Sequence, residues 1–563
     1  MKNQFVVFVL PFILASATIF MGCKDRQDQA RAELAKVDLK RGALLLCGSG
    51  QFGQVNFTLG CEAETRETFN LALSLLHSFE YTEAEKAFAK VIDIDPNCAM
   101  AYWGVAMCNF HPLWAPPNKE ELQKGSQILA IAQQLHPPPR VSAYLDAIGA
   151  YYQDWEHLDH RTRTLRFEAQ MEALYRTYED DQEAAIFYAL ALNASADPAD
   201  KSYGNQRKAG ALLERLFPSQ PDHPGIAHYI IHNYDYPELA EMALPTARRY
   251  ASIAPASAHA QHMPSHIFTR LGLWEESIAS NLNSTASALC YSESIAPDAH
   301  WDEELHGMDY LVYAYLQMGD VGKAAEQYSY LKSFENIFPV NFKVAYTAAA
   351  IPARLALESR DWKAASELEL PLPGAIAWAD YPWQRSLLHF ARGLGAVHLG
   401  DLTAAEKELA TLEGNKKELE THMDAYKAQQ VQIQINSLGA WIAFKKGLKD
   451  KALELMREAA RMEAQTAKHP VTPGEVLPAG ELLADMLLAM GRTEAALAAY
   501  EAGMQTHPNR FNGILGAARA AGGLGEFKKA AHYYGKLLQQ ASSSPEQRSE
   551  LGEAKALLRK HPV

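Results

Sequence analysis

A recurring pair of helical segments is the feature of this sequence that most constrains its fold. From residue 65 onward the apolar residues follow a helical period over stretches of roughly 12–20 residues. Short breaks that begin with glycine separate these stretches. A small residue, usually alanine, lies a few positions after each glycine, near the start of the next stretch. The pattern predicts helices joined by tight turns, because glycine tolerates the left-handed conformation that ends a helix. The breaks lie at GLWEESI (272–278), GDVGKAA (319–325), GDLTAAE (400–406), GLKDKAL (447–453), GRTEAAL (491–497) and GEFKKAA (525–531).

The clearest unit lies at residues 69–97. Its Tyr81, Phe88 and Pro96 have a spacing that resembles the tetratricopeptide repeat, a helix–turn–helix unit of 34 residues. One such helix pair cannot bury its apolar face alone, so stacked pairs share a core and curl into a right-handed superhelix. The resemblance covers most of residues 65–545 and implies an all-α fold, a tetratricopeptide-type α-solenoid.

The chain divides into six predicted segments. The Gly-rich third segment contains a G-x-G-x-x-G match (48–53), but strand-like or looped residues follow it where a dinucleotide site needs a helix. We therefore predict a looped cap there. The segments are a lipoprotein-type signal peptide (1–22), a polar tether (23–36), the N-terminal cap (37–64), N-terminal repeat-like helices (65–217), His-rich central repeats (218–340) and C-terminal repeats (341–563).

The N-terminus is typical of an export signal. Residues 5–20 are almost wholly apolar yet short for a membrane span. The Gly22-Cys23 pair that follows resembles the lipobox of bacterial lipoproteins, which implies that Cys23 becomes acylated. Ordinary cleavage with an unmodified cysteine is the alternative. We expect the protein in a bacterial cell envelope, held to the membrane by lipid on the periplasmic or cell-surface side.

Disulfide bonds are compatible with that location. In an oxidising compartment Cys47 and Cys61, which flank the Gly-rich stretch, would be free to pair. Cys98, Cys108 and Cys290 complete an odd number of cysteines after Cys23, so at least one thiol stays free, and the sequence does not fix the connectivity. The chain has no C-x-x-C, which gives no support to thiolate zinc sites.

Charge and missing motifs exclude several functions. The chain has 53 Lys and Arg against 67 Asp and Glu, a formal net charge of −14. Without a basic stripe on this acidic background, we expect no nucleic-acid partner. The H-E-x-x-H, G-x-S-x-G and P-loop motifs are also absent from the sequence, so the common zinc protease, hydrolase and nucleotide sites are not predicted.

Histidine is concentrated near the middle of the chain. Eight of the 20 histidines fall between residues 223 and 306. His228 and His232 have an i, i+4 spacing, and His262 and His266 repeat it 34 residues later. That offset is one tetratricopeptide period, and equivalent positions of adjacent stacked repeats lie side by side. The four histidines are therefore predicted to form a two-by-two patch.

The resemblance to the repeat also gives a register, in which this face of the first helices lines the concave groove. Pro264, inside one first helix, predicts a kink or a late helix start. His77 and His111, also 34 residues apart, are a possible extension of the groove. The candidate metal- or ligand-binding residues are His228, His232, His259, His262, His266 and His306.

These residue types favour a transition metal. Neutral imidazole is the commonest side-chain ligand for zinc and similar divalent ions. Asp235 and Asp309 are candidates to fix the tautomer of a ligand histidine, and Glu303 or Glu304 to add an oxygen. Two other interpretations stay open: a ladder of structural hydrogen bonds, or a site for an anionic or peptide ligand without metal.

The predicted function is that of a scaffold. The central histidine segments resemble a group of long bacterial tetratricopeptide-repeat proteins, which implies the fold and supplies no reaction. We expect a cell-envelope lipoprotein whose groove binds a protein or peptide partner, a transition-metal ion, or both, and no other cofactor. The alternative is a metal-dependent hydrolase that uses the histidine cluster. No catalytic residue is predicted.

Overall fold

The computed structural model describes residues 30–47, 50–57, 60–544 and 548–561. The predicted signal peptide and Cys23 lie outside the described residues. The described residues form two compact units. The first contains the residues up to Leu45 and those of Phe52–Asn233, and the second contains Leu46–Gln51 and the residues from Tyr234 onward.

The first unit consists of α-helices that pack against their neighbours in sequence. A short 3-10 helix (Ala63–Thr65) precedes them. The helices are α1 (Arg66–His77), α2 (Tyr81–Ile94), α3 (Ala99–Cys108), α4 (Lys119–Gln134), α5 (Pro139–Tyr152), α6 (His160–Thr177), α7 (Gln182–Ala194), α8 (Gly204–Leu216) and α9 (Pro224–Tyr234), whose last residue begins the second unit.

The second unit is also helical, which confirms the all-α prediction. Its helices are α10 (Ala240–Ile253), α11 (Ala258–His262), α12 (Pro264–Leu271), α13 (Trp274–Ile295), α14 (Asp302–Gln317), α15 (Val321–Leu331), α16 (Phe342–Glu358), α17 (Trp362–Ser366), α18 (Pro382–Leu399), α19 (Leu402–Thr421), α20 (Ala425–Lys445), α21 (Lys449–Gln465), α22 (Ala479–Ala489), α23 (Thr493–Thr506), α24 (Phe511–Gly523), α25 (Phe527–Gln540) and α26 (Glu550–Lys560).

The predicted turns are confirmed by their backbone. Gly272 ends α12 with φ +65° and Gly400 ends α18 with φ +89°, both in the left-handed region. Asp320 and Asp401, which follow turn glycines, each accept a backbone N–H from the first turn of the next helix. Glycine thus ends one helix and aspartate caps the next, which explains the recurring Gly-Asp breaks.

Pro264 divides one helix into two, as its position predicts. α11 ends at His262 and α12 begins at Pro264, because proline has no N–H to donate and is tolerated in a first turn. His262 and His266 therefore lie on either side of the break. Both stay on the side that packs against α13 and α14.

Two short elements lie beside the start of α14. Strand β1 (Ala299–Trp301) pairs in parallel with strand β2 (Asn336–Phe338). The pairing brings the chain into α14 directly after β1, so that the first turn of α14 is anchored at its N-terminal end. No helix in the described part of the chain combines the length and apolarity that crossing a membrane requires.

The disulfide bonds differ from the expected pairing. Cys47 is bonded to Cys290 within the second unit, and Cys61 to Cys98 within the first. The suggested Cys47–Cys61 bond is therefore wrong, because each cysteine meets a partner that is distant in sequence and near in the fold. Cys108 is a buried free thiol, in agreement with the odd number of cysteines.

Candidate metal centre

Three histidines of the second unit come together where α11, α12 and α14 meet. His262 ends α11, His266 lies in the first turn of α12, and His306 lies one turn into α14. Each ring offers a nitrogen within 4.8 Å of the other two. All three side chains are buried, with residue exposures of 0%, 2% and 5%. We call these three residues the histidine centre.

The protonation of His262 is fixed by Asn281 on α13. The Asn281 amide nitrogen donates to the carbonyl of Ser277 at 2.8 Å, so its Oδ1 must face the other way. That oxygen lies 2.6 Å from Nδ1 of His262. Because Oδ1 only accepts, Nδ1 of His262 carries the proton. A neutral His262 ring therefore has an unprotonated Nε2.

Asp235 fixes His266 in the same way. Its Oδ2 lies 3.0 Å from Nδ1 of His266 and also accepts a hydrogen bond from Lys468, while its Oδ1 accepts one from Arg270. Burial raises the pKa of the Asp235 carboxyl, but Lys468 and Arg270 outweigh burial and hold that pKa well below its usual range. The ionised carboxylate accepts a hydrogen bond from the protonated Nδ1, which leaves Nε2 of His266 unprotonated. This is the contact predicted for Asp235.

Burial keeps all three rings neutral. It is the largest cause of the lowered pKa of His262 and His306, and neighbouring histidines lower both further. For His266 burial lowers the pKa to about 4, although Asp235 opposes the shift. Each ring therefore carries a single proton at pH 7, which in His262 and His266 is on Nδ1.

Two lone pairs consequently face each other. The Nε2 atoms of His262 and His266 are 3.0 Å apart, and both are acceptors without a proton between them. Such a contact is repulsive unless a cation lies between the nitrogens. Two ligand nitrogens of a tetrahedral zinc, each about 2.0–2.1 Å from the ion, lie about 3.3 Å apart. A shift of a few tenths of an ångström would admit the ion.

His306 is placed to supply a third ligand. Its ring centroid is 4.1 Å from that of His262 and 6.2 Å from that of His266. The described residues form no hydrogen bond to its ring nitrogens. The Tyr310 hydroxyl, 3.3 Å from Nε2 of His266, lies at the edge of the same space. Three neutral imidazoles in this arrangement suit a divalent ion with N ligands.

The remaining second-unit candidates lie around the centre or away from it. His259 Nδ1 is 3.6 Å from Oε2 of Glu303, near the centre. In place of the predicted contact with a histidine, Asp309 accepts a hydrogen bond from Arg354 at 3.0 Å. Glu304 likewise binds other partners, which are His300 and Tyr330. Both carboxylates satisfy buried or partly buried groups that the sequence pattern did not place beside them.

A second group of possible ligands in the first unit is closed by hydrogen bonds. Glu183 bridges Nε2 of His77, at 3.0 Å, and Nε2 of His223, at 2.8 Å. The backbone N–H of Ile226 donates to Nδ1 of His223, so the proton of this ring is on Nε2, and Tyr229 lies 3.0 Å from Nδ1 of His77. Each polar atom has a partner without an ion. The Glu183 bridge, as we call this group, therefore has a structural role.

The other first-unit histidines occupy different surroundings. His228 Nδ1 donates to the carbonyl of His77 at 2.6 Å, and its ring lies 4.6 Å from that of His232. His111, the suggested groove extension, is paired with Glu121 at 3.2 Å. The predicted patch of four histidines combines residues of both units, and it stays a prediction.

Sequence reasoning missed Asn281 and Lys468. Asn281 lies in the middle of α13, where asparagine carries no motif, and only the packing of α13 against α11 gives it a role. Lys468 is 233 residues from Asp235 along the chain. No motif near Lys468 in the sequence indicated which carboxylate the lysine binds.

Comparisons with known proteins agree with the repeat assignment. Residues 69–98, which include α2 and most of α1, match the family model for the tetratricopeptide repeat. With the helix pairs described above, this match confirms the predicted tetratricopeptide-type fold. No curated protein matches the chain by sequence.

Several solved structures align with most of the chain at low similarity. Yeast Tom70 shares 12% identity with a TM-score of 0.33, over 89% of this chain and 96% of that chain. The human IFIT1 dimer with PPP-AAAA shares 12% identity with a TM-score of 0.36, over 92% of this chain and 100% of that chain. Similarity at this level says nothing about the function of this protein.

Proposed function

We propose that this protein is a helical-repeat scaffold whose second unit binds one divalent transition-metal ion, zinc in the first instance, at the histidine centre. The observation that carries the proposal is the pair of unprotonated Nε2 atoms of His262 and His266, held face to face by Asn281 and Asp235. A protein fixes ligand histidines through their second nitrogen in this way, because the outer partner sets both ring orientation and tautomer.

Metal content is the direct test. The full chain, expressed without a polyhistidine tag, is dialysed against zinc, washed and analysed by mass spectrometry of the elements. We expect about one ion per chain in the wild type, and loss of that ion in the His262→Ala and His306→Ala variants.

The Glu183 bridge provides the matched control. His223→Ala removes a buried histidine of a similar three-residue group, yet it should leave the metal content unchanged because that group is closed without an ion. Circular dichroism verifies that each variant is folded. Absence of bound metal in the folded wild type would refute the proposal.

Metal-dependent hydrolysis is the second candidate function. One observation favours it: within the described chain, Oε2 of the buried Glu303 has no hydrogen-bond partner, although it lies near the centre. A carboxylate in that position is suited to take a proton from metal-bound water. Against turnover, the three histidines are almost completely buried, which favours retention of an ion over access of a substrate. Nitrophenyl ester hydrolysis by the zinc-loaded protein, compared with His306→Ala, separates the two functions.

A protein or peptide partner and a lipid anchor complete the proposal. Tetratricopeptide repeats generally mediate protein–protein interaction, and the matched repeat at residues 69–98 supports such a role. The lipobox-like Gly22-Cys23 supports attachment to a bacterial envelope membrane. Metabolic labelling with palmitate should mark the wild type, and Cys23→Ser should abolish the label and release the protein from the membrane fraction.

A further inference from the structure

Glu303 is a buried carboxylate beside the histidine centre. It precedes His306 by three residues on α14, and residues at i and i+3 share a helix face. Its Oε2 lies 3.6 Å from Nδ1 of His259, whose ring centroid is 6.5 Å from that of His262. Glu303 therefore lies near two of the three proposed ligands.

The carboxylate of Glu303 is only half engaged. Its Oε1 accepts a hydrogen bond from Lys343, which also contacts Asp302 at 2.7 Å. Its Oε2 is buried and has no hydrogen-bond partner in the described chain, with His259 Nδ1 at 3.6 Å. The ion pair with Lys343 favours the ionised form of Glu303. A buried, ionised oxygen without a hydrogen bond costs free energy, so it marks a place where a donor belongs.

An ion at the histidine centre would need that charge. Three neutral imidazoles leave both positive charges of a divalent ion uncompensated, and burying such charges is costly. Asp235 cannot neutralise the charge of the ion alone, because its own negative charge is already paired with Arg270 and Lys468. Glu303 is a second carboxylate near these ligands, on the same helix as His306.

The geometry fits a water molecule between the ion and Glu303. The three histidine nitrogens form a tight group to which the Glu303 oxygens do not belong. A tetrahedral ion with three protein ligands has a fourth position, which water fills in sites that are not closed by protein. We propose that water occupies this fourth position and donates a hydrogen bond to Oε2 of Glu303. The inference rests on metal binding at the histidine centre, and it concerns how the charge of that ion is balanced.

The first test compares two neighbouring glutamates. Glu303→Gln should weaken the affinity for Zn²⁺ by about 10- to 100-fold, as loss of an outer partner of a metal site usually does. Glu304→Gln is the matched control on the same helix turn, and it should leave the affinity unchanged because its carboxylate binds His300 and Tyr330. Affinities come from competition with a chromophoric chelator, after thermal denaturation has verified that both variants are folded.

The second test probes the water itself. In the Co²⁺-loaded protein, azide should replace the water and change the visible absorption spectrum of the ion. Azide should bind more tightly to Glu303→Gln, because the carboxylate that repels an anion is gone.

Two results would overturn the inference while leaving metal binding intact. One is an unchanged Zn²⁺ dissociation constant in folded Glu303→Gln. The other is a Co²⁺ spectrum that azide does not alter, since the fourth position would then not hold an exchangeable water. A wild type that binds no metal would instead refute the proposed function, and the metal content reveals that case before any variant is made.

Discussion

Asn281 is expected to control metal affinity without touching the metal. In the wild type its Oδ1 accepts a hydrogen bond from Nδ1–H of His262, which leaves Nε2 of that ring free to bind an ion. Asn281→Leu is nearly isosteric and removes the acceptor. His262 can then move its proton to Nε2 and donate to Nε2 of His266, 3.0 Å away. The variant would thus gain a hydrogen bond that only the metal-free protein can form.

The loss of zinc affinity in Asn281→Leu can be calculated from the hydrogen bonds that are gained and lost. To bind an ion, the variant must break the new hydrogen bond, worth about 0.5–1.5 kcal/mol, and restore a buried Nδ1 proton without an acceptor, at about 1–3 kcal/mol. The sum of about 1.5–4.5 kcal/mol corresponds to a zinc dissociation constant about 10- to 2000-fold higher.

Chelator competition measures the affinity, and nitrogen NMR of the histidine rings reports the tautomer directly. Asn281→Asp retains an acceptor for His262 and should stay much closer to the wild type. Ser284→Ala, on the same helix, removes only a hydrogen bond to the carbonyl of Ala258 and serves as the control. If folded Asn281→Leu binds zinc within threefold of the wild type, the tautomer argument is refuted.

Three further outcomes are expected. In the metal-free protein the pKa of His266 is 6.5 in the unfolded chain and about 4 in the folded chain, so below pH 6.5 the unfolded chain takes up the proton first. Between pH 7 and pH 5 this residue alone should lower the free energy of unfolding by about 2 kcal/mol, which urea denaturation measures. Gly400→Ala should lower the free energy of unfolding by about 1–2 kcal/mol because residue 400 has a left-handed backbone. Gly272→Ala should lower it clearly more, since the added Cβ would also lie 2.5 Å from a backbone carbonyl oxygen. Equal losses in the two variants would contradict the packing around Gly272. The third variant replaces both Cys61 and Cys98 by serine and so removes a disulfide bond across 37 residues. In the chain-entropy account the free energy of unfolding should fall by about 4 kcal/mol. An unchanged unfolding midpoint would exclude a stabilising role for this bond.

The sequence was a good guide where short-range signals decide the structure. The turn glycines and the break at Pro264 were predictable because helix ends depend on a few adjacent residues. The predicted set of six histidines included His262, His266 and His306, which the structure brings together.

The polar partners of those histidines were less predictable. Asp235 was correctly associated with the group, but Asp309 binds Arg354, 45 residues further along the chain. The face of a helix that a carboxylate shares with a histidine does not reveal which cation the neighbouring helix brings to it. The Glu183 bridge shows the same limit, because it joins residues of α1, α7 and the loop before α9.

The Cys47–Cys290 bond sets a problem of timing for the growing chain. Along the proposed export route, Cys47 emerges long before its partner, which follows 243 residues later. Cys61 and Cys98 reach an oxidising compartment first, and thiolates exchange with whichever disulfide or oxidant they meet. The earliest bond available to Cys47 is therefore a wrong one. Correct oxidation requires that Cys61 and Cys98 pair promptly within their own unit, or that an isomerase rearranges the first disulfide formed. On the proposed route, export of this protein should therefore depend on disulfide isomerisation as well as on oxidation.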